Sequence, residues 1–155
     1  MTPATIGNNE AAPIDLRLSK TAWIPQAEDT HWLYDRLAFI ARKLNSQNYG
    51  FNLYGFCEDF QFTVYEDNGG HYTWHQDNGS GNDTPRKLSL VVQLSDPKDY
   101  EGGDLQVFTS AEPVNIPKQI GLVVAFPGYT MHRVTPVTKG IRRTLVVWIT
   151  GPAFK

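Results

Sequence analysis

Between Asp29 and Asn45 the apolar residues Leu33, Leu37, Ile40, Ala41 and Leu44 recur at intervals of three and four, the spacing of one face of an α-helix. Asp29 and Thr30 stand at the entry, where capping side chains belong. The charges Asp35, Arg36, Arg42 and Lys43 mostly avoid the apolar face. This pattern predicts one amphipathic helix over 29–45, packed by its apolar side on a sheet. After Asn45 the period changes. Runs rich in Val, Phe, Tyr, Leu and Thr at 60–65, 72–77, 88–94, 105–109, 121–126, 132–137 and 143–150 alternate with Gly, Asn, Asp and Pro. Many short strands with turn signals between them predict a mainly β sandwich or double-sheet barrel, with one or more N-terminal helices on its outside. The turn clusters 78–85 (NGSGNDTP) and 99–104 (DYEGGD) are the most pronounced. Residues 1–13, small and polar, read as a flexible arm ahead of a single domain over 14–155.

Composition narrows the class. A chain of 155 residues suits one domain and buries roughly 70% of the surface its unfolded form exposes. Fourteen Lys and Arg against sixteen Asp and Glu leave a formal charge of −2, which gives no default attraction to nucleic acid or an anionic membrane. Cys57 is the single cysteine, so no intrachain disulfide forms, as suits a reducing interior. The first thirteen residues lack the charged and apolar regions of a signal peptide, and no apolar run reaches membrane-spanning length. A soluble, cytoplasmic protein is expected.

The chemistry begins at Trp74-His75-Gln76-Asp77. Residues i and i+2 of a strand share a face, so the His75 imidazole and the Asp77 carboxylate can reach one point. A metal there needs a third ligand, and His132 sits at the start of a later predicted strand. Two His and one carboxylate leave positions open, the arrangement of iron(II) oxygenases, whereas a structural zinc site closes its shell, usually with thiolates. Arg142, ten residues after His132, can pair in bidentate fashion with the far carboxylate of a keto-acid co-substrate. Of the other histidines, His31 falls in the helix. His71 lies four before His75 in a Gly-rich turn and shares its strand parity, so the residues alone leave it open as a ligand.

Several stretches in order carry a resemblance: Tyr65-Glu66, then 69–77 (GGHYTWHQD), 99–105 (DYEGGDL), Phe126-Pro127, 132–138 (HRVTPVT) with Arg142, and 145–154 (LVVWITGPAF). Together they resemble the prolyl-hydroxylase-type branch of the 2-oxoglutarate/iron(II) oxygenases, particularly the small bacterial and phage members related to the PKHD-type hydroxylases. The resemblance spans about Asp29 to the C-terminus. It implies a double-stranded β-helix (jelly roll), with His75, Asp77 and His132 as iron ligands and His71 set aside. It implies Arg142 as the partner of the distal 2-oxoglutarate carboxylate, and Tyr65 as a lining residue of the co-substrate pocket. Gln93 stands where some prolyl hydroxylases carry another pocket tyrosine. Tyr72 and Trp148 become candidate walls of the substrate pocket, Trp148 sharing strand parity with Arg142. The loop 78–85 becomes a candidate lid. The implied cofactors are iron(II), 2-oxoglutarate and dioxygen, with ascorbate as a candidate reductant. The implied reaction hydroxylates an unactivated C–H bond and forms succinate and carbon dioxide. A prolyl residue in a peptide or protein is the leading substrate, with a free amino acid or other small molecule as the alternative. A non-catalytic, cupin-like metal-binding module is the competing class, but it has no need of a co-substrate anchor such as Arg142 with Tyr65.

Overall fold

The computed structural model describes residues 1–6, 10–78 and 85–154. In its first part lie β1 (Thr2–Pro3), β2 (Thr5–Ile6), β3 (Glu10–Ala11), β4 (Arg17–Leu18), β5 (Lys20–Ile24), α1 (His31–Asn48), β6 (Phe60–Glu66) and β7 (His71–His75). After it come β8 (Arg86–Gln93), β9 (Tyr100–Gly102), β10 (Leu105–Phe108), β11 (Pro113–Asn115), β12 (Val123–Pro127), β13 (His132–Val134) and β14 (Val137–Thr150). A seven-stranded sheet runs β1-β5-β6-β14-β8-β12, with β9 also on β14. A five-stranded sheet runs β11-β10-β13-β7-β4, and β2 pairs with β3. The fold is mainly β, its strands antiparallel, with one α-helix among the described residues.

Strand parity organises the core. On β8, Leu88 and Leu90 join Leu145, Val147 and Ile149 of β14 and Phe60 of β6 in one apolar cluster, to which α1 contributes Tyr34, Leu37 and Ala41. The helix therefore packs on the outer face of the large sheet, and each fully buried aliphatic side chain there is worth about 1.5–3 kcal/mol. The alternate residues Tyr65, Val91 and Phe126 face inward and meet Leu105, Val107 and Val134 of the small sheet in a second cluster. The two sheets thus close over a shared interior.

Three expectations change at the level of elements. The helix starts two residues later and ends three residues later than its pattern suggests. Thr30 stands at its N-cap without a side-chain cap, because its hydroxyl instead donates to the Pro25 carbonyl and accepts from the Ala27 N–H. The segment 137–150 is one strand rather than a turn followed by a strand. Its polar start pairs with β9, and Gly140, at φ 72°, lets the chains approach: a Cβ there would lie 2.0 Å from the Asp99 carbonyl oxygen. Part of the stretch 1–13 pairs with the large sheet where it is described. Thr2 and Pro3 pair with Thr21 and Lys20, and Ala4 is buried with its N–H bonded to the Ser19 carbonyl. The reason is that β5 would otherwise be an open sheet edge, and this segment supplies its partner. The lid expected at 78–85 falls largely on 79–84, outside the described residues.

Candidate metal centre

Pairing of β7 with β13 sets His75 directly opposite His132. Asp77 lies just beyond the end of β7, yet its Oδ1 stands 3.5 Å from His75 Nε2 and 3.4 Å from His132 Nε2. One ligand atom from each of the three residues falls within a 4.8 Å sphere of mutual distances. Among the described residues these are the group of this kind. His71 is not in it: its ring nitrogens lie against the carbonyls of Gly69 and Asp15. His31 sits on the helix surface beside Asp35.

The hydrogen bonds behind the three residues orient them for a cation. His75 Nδ1 is 2.8 Å from the Thr73 carbonyl and His132 Nδ1 is 2.8 Å from the Thr130 carbonyl. An Nδ1–H donated to each carbonyl leaves both Nε2 lone pairs pointed at the common centre, the second-layer arrangement usual for ligating imidazoles. Ser89 Oγ donates to Asp77 Oδ2 at 2.7 Å, so Oδ1 is the oxygen left to ligate. The Asp77 N–H donates to the Gly128 carbonyl, and Gly128 itself sits where a Cβ would meet the Arg86 carbonyl oxygen at 2.1 Å.

Electrostatics match the geometry. Burial works against the Asp77 carboxylate, but the facing His132 and His75 outweigh it and hold the group well below the usual carboxylate range. Burial lowers the His75 pKa despite Asp77. At His132 burial also opposes the charged form, but attraction to Asp77 prevails and raises the pKa. The site therefore offers an ionised carboxylate between two imidazoles, a donor set suited to a divalent cation.

Arg142 occupies the same interior. It is 1% exposed, lies across from Tyr65 on β6, and holds its guanidinium 5.3 Å from that ring. Its Nη2 donates to Gln93 Oε1 at 3.1 Å, while its Nε–H is buried without a partner. Burial pulls its pKa down, against Tyr65, Tyr100 and Asp104, yet a guanidinium stays charged in proteins. Asp104 is bound 3.1 Å away to Lys118, so no carboxylate forms an ion pair with Arg142 among the described residues. Gly103, at φ 60°, leaves room for the Arg142 chain, since a Cβ there would come 3.1 Å from its Cδ. A buried guanidinium with an unpartnered N–H is chemically suited to pair with a carboxylate.

Tyr72 stacks on the His75 ring, centroids 3.5 Å apart at 11°; burial raises its pKa, against the pull of Arg17. Trp148, on β14, is buried with an unpartnered indole N–H, and the Arg86 guanidinium lies 3.6 Å above its ring. Arg86 is itself clamped by Glu58. Of Ser89, Gly128, Arg86 and Arg17, the last three carry no local signal of these contacts in the sequence. Ser89 left a trace: in the apolar run 88–92 it is the polar residue, with the parity of Gln93.

Two imidazoles and one carboxylate with ligand atoms within 4.8 Å of one another are the donor set of a mononuclear non-haem iron oxygenase centre. A family model, the 2OG-Fe(II) oxygenase superfamily, matches residues 60–150, and the chain belongs to that superfamily. Iron(II) and 2-oxoglutarate are the family's cofactors, and the donor set and the idle Arg142 N–H fit them. The PKHD-type hydroxylase of Synechococcus sp. (strain CC9605) is 42% identical over 84 residues, 52% of this chain and 37% of that protein. That of Synechococcus sp. (strain CC9311) is 36% identical over 100 residues, 61% of this chain and 45% of that protein. The chain thus matches less than half the length of these relatives. A prolyl-4-hydroxylase from Pseudomonas putida shares the fold with a TM-score of 0.72 at 24% identity, over 90% of this chain and 75% of that one. The Trichoplax adhaerens prolyl hydroxylase, in complex with a hypoxia inducible factor peptide fragment, gives 0.80 at 19% identity, over 96% and 70%. A viral collagen prolyl hydroxylase from Paramecium Bursaria Chlorella virus-1, a 2OG complex, gives 0.70 at 26% identity, over 88% and 81%. No helix among the described residues is long and apolar enough to cross a membrane.

Proposed function

We propose that the chain is a 2-oxoglutarate- and dioxygen-dependent hydroxylase of prolyl residues in a peptide or protein, built on a jelly roll with α1 outside it. His75, Asp77 and His132 hold iron(II), and Arg142 binds the distal carboxylate of 2-oxoglutarate with Gln93 and Tyr65 beside it. The observation that carries this reading is the buried Arg142 with its partnerless Nε–H. A protein that only bound a metal would gain nothing from an unneutralised buried cation, which costs several kcal/mol in desolvation.

When bound, iron(II) with the keto acid and dioxygen supplies the oxidising chemistry: one oxygen atom enters the C–H bond as hydroxyl, the other enters succinate, and carbon dioxide leaves. The chain's own residues do the rest. Thr73 and Thr130 carbonyls fix the imidazole tautomers and Ser89 fixes the carboxylate rotamer, so the ligands need no rearrangement on metal binding. Arg142 and Gln93 set the depth to which the dicarboxylate enters, Gln93 accepting from the guanidinium and holding it in place. Tyr72 and Trp148 are the candidate walls of the substrate side. The prolyl substrate draws support from the relatives, whose names and complexes are those of prolyl hydroxylases and a peptide. Action in the cytoplasm is read from the lone Cys57 and the need to keep iron ferrous.

Succinate release from 2-oxoglutarate by the iron(II)-loaded protein in air tests this, with and without proline-containing peptides. Turnover stimulated by a peptide, with a mass gain of one oxygen on it, is the expected result. Stimulation by free amino acids but by no peptide would overturn the prolyl substrate and keep the hydroxylase.

A further inference from the structure

Outside the region matched by the family model, one buried side chain touches Tyr72, the ring that stacks on His75. Arg17 lies on β4, opposite Tyr72 of β7, and is 6% exposed. All three of its nitrogens have neutral acceptors: Nε donates to Ser19 Oγ at 2.8 Å, Nη2 to Gln61 Oε1 at 2.9 Å and Nη1 to the Thr5 carbonyl at 3.3 Å. Gln61 Oε1 is held in turn by the Thr63 hydroxyl. The guanidinium carbon stands 4.5 Å from the centre of the Tyr72 ring. Tyr72 also stacks on His75 at 3.5 Å, nearly parallel. Tyr72 therefore links a buried cation to a proposed metal ligand.

The arrangement costs stability unless it does something. A buried guanidinium without an ion-pair partner has lost its hydration, and neutral acceptors return only part of it. A hydrocarbon of the same length would fill the position at less cost. What only a guanidinium supplies is a rigid fork tied to three points and a flat positive face for an aromatic ring. Two of those points, Thr5 on β2 and Ser19 between β4 and β5, belong to the N-terminal segment, and the third, Gln61, lies on β6 of the large sheet.

We infer that Arg17 is a positioning residue for the metal centre: through Tyr72 it fixes the plane of the His75 imidazole, and so couples iron affinity to docking of the N-terminal segment. The inference rests on the proposed metal site. Supporting residues behind a ligand typically change metal affinity by 10–100-fold. Because Arg17 acts through Tyr72, its effect belongs to that ring and vanishes when the ring is gone.

The test is a titration of the full-length protein with Co(II), followed by its visible absorption, for wild type, Arg17→Met, Tyr72→Leu and the double variant, with His75→Ala alongside. The expected result is a dissociation constant raised about ten-fold by Arg17→Met, an altered Co(II) spectrum, and no further loss when Arg17→Met is added to Tyr72→Leu. An unchanged constant in Arg17→Met would overturn the inference, as would an equal loss in both backgrounds. His75→Ala separates the two layers: if it still binds Co(II) as wild type does, the metal site itself is misplaced, whatever Arg17 does. Should Arg17→Met fail to fold, Arg17→Lys carries the test, since it keeps the charge and loses the fork. A loss of a few-fold is expected there, and wild-type affinity in that variant rejects the coupling.

Discussion

The two faces of the large sheet are made by the same strands, but the inner one mixes buried polar side chains with its apolar ones. On the outer face, Phe60, Leu88, Leu90, Leu145, Val147 and Ile149 meet the helix in an all-apolar layer. On the inner face, Gln61, Thr63, Ser89, Gln93, Arg142 and Thr144 are as deeply buried and polar. Leu90 and Ser89 are neighbours in the chain, yet one serves cohesion and the other holds a carboxylate. Burial by itself thus says little about role. What separates the faces is whether each buried group has its partner within the protein. The outer layer is complete, while the inner layer keeps the Arg142 Nε–H and the Trp148 indole N–H unpaired.

Substitutions on either side of this divide should have effects of different kind. The largest is His132→Ala, which removes a ligand from the inner face: turnover should fall to background while the melting temperature of the metal-free protein stays near wild type. Full activity there would remove the proposed site. Next is Leu90→Ala on the outer face, expected to cost about 2–5 kcal/mol of stability by urea denaturation, with Co(II) affinity unchanged in the folded protein. A comparable loss of metal affinity would show that the faces are not independent. Arg142→Met should raise the 2-oxoglutarate requirement by about a hundred-fold, in line with 2–5 kcal/mol for a buried charge pair. Its stability should hold or rise, because a buried unpaired cation is removed; unchanged 2-oxoglutarate dependence would assign the anchor elsewhere. Ser89→Ala should weaken metal binding about ten-fold through the freed Asp77 carboxylate, which isothermal titration reads directly, and wild-type affinity would deny Ser89 its orienting role. The smallest effect belongs to removal of residues 1–5, which takes away the pairing of β1 and the Thr5 carbonyl. A loss of about 1 kcal/mol, or 2–4 °C in melting temperature, is expected, and no shift at all would restore the reading of this segment as a free arm.

Much of this was legible in the residues. The three- and four-residue spacing of Leu33, Leu37 and Ala41 announced the helix because an α-helix repeats locally, and its face needs no knowledge of its partner. The runs around Phe60, Leu88 and Leu105 announced strands for the same reason. His75 and Asp77 were visible as a pair because two residues apart is a local relation, and family resemblance added His132 and Arg142. The short N-terminal strands were not legible: two-residue pairings at Thr2–Pro3 and Arg17–Leu18 carry no periodicity. Nor was the unbroken β14, whose polar start at Thr138, Lys139 and Gly140 reads as a turn until β9 is laid beside it.

The sequence by itself therefore determined the helix, most of the strands, and a His-x-Asp motif with its distant His and Arg. Only the tertiary structure decided that His75 faces His132 across two strands, that Ser89 takes one oxygen of Asp77 and leaves the other free, and that Arg17 lies behind Tyr72. The physical reason is range. Periodicity records contacts within a few residues along the chain, whereas these relations join residues 57, 12 and 55 positions apart and come into being only when the sheets close.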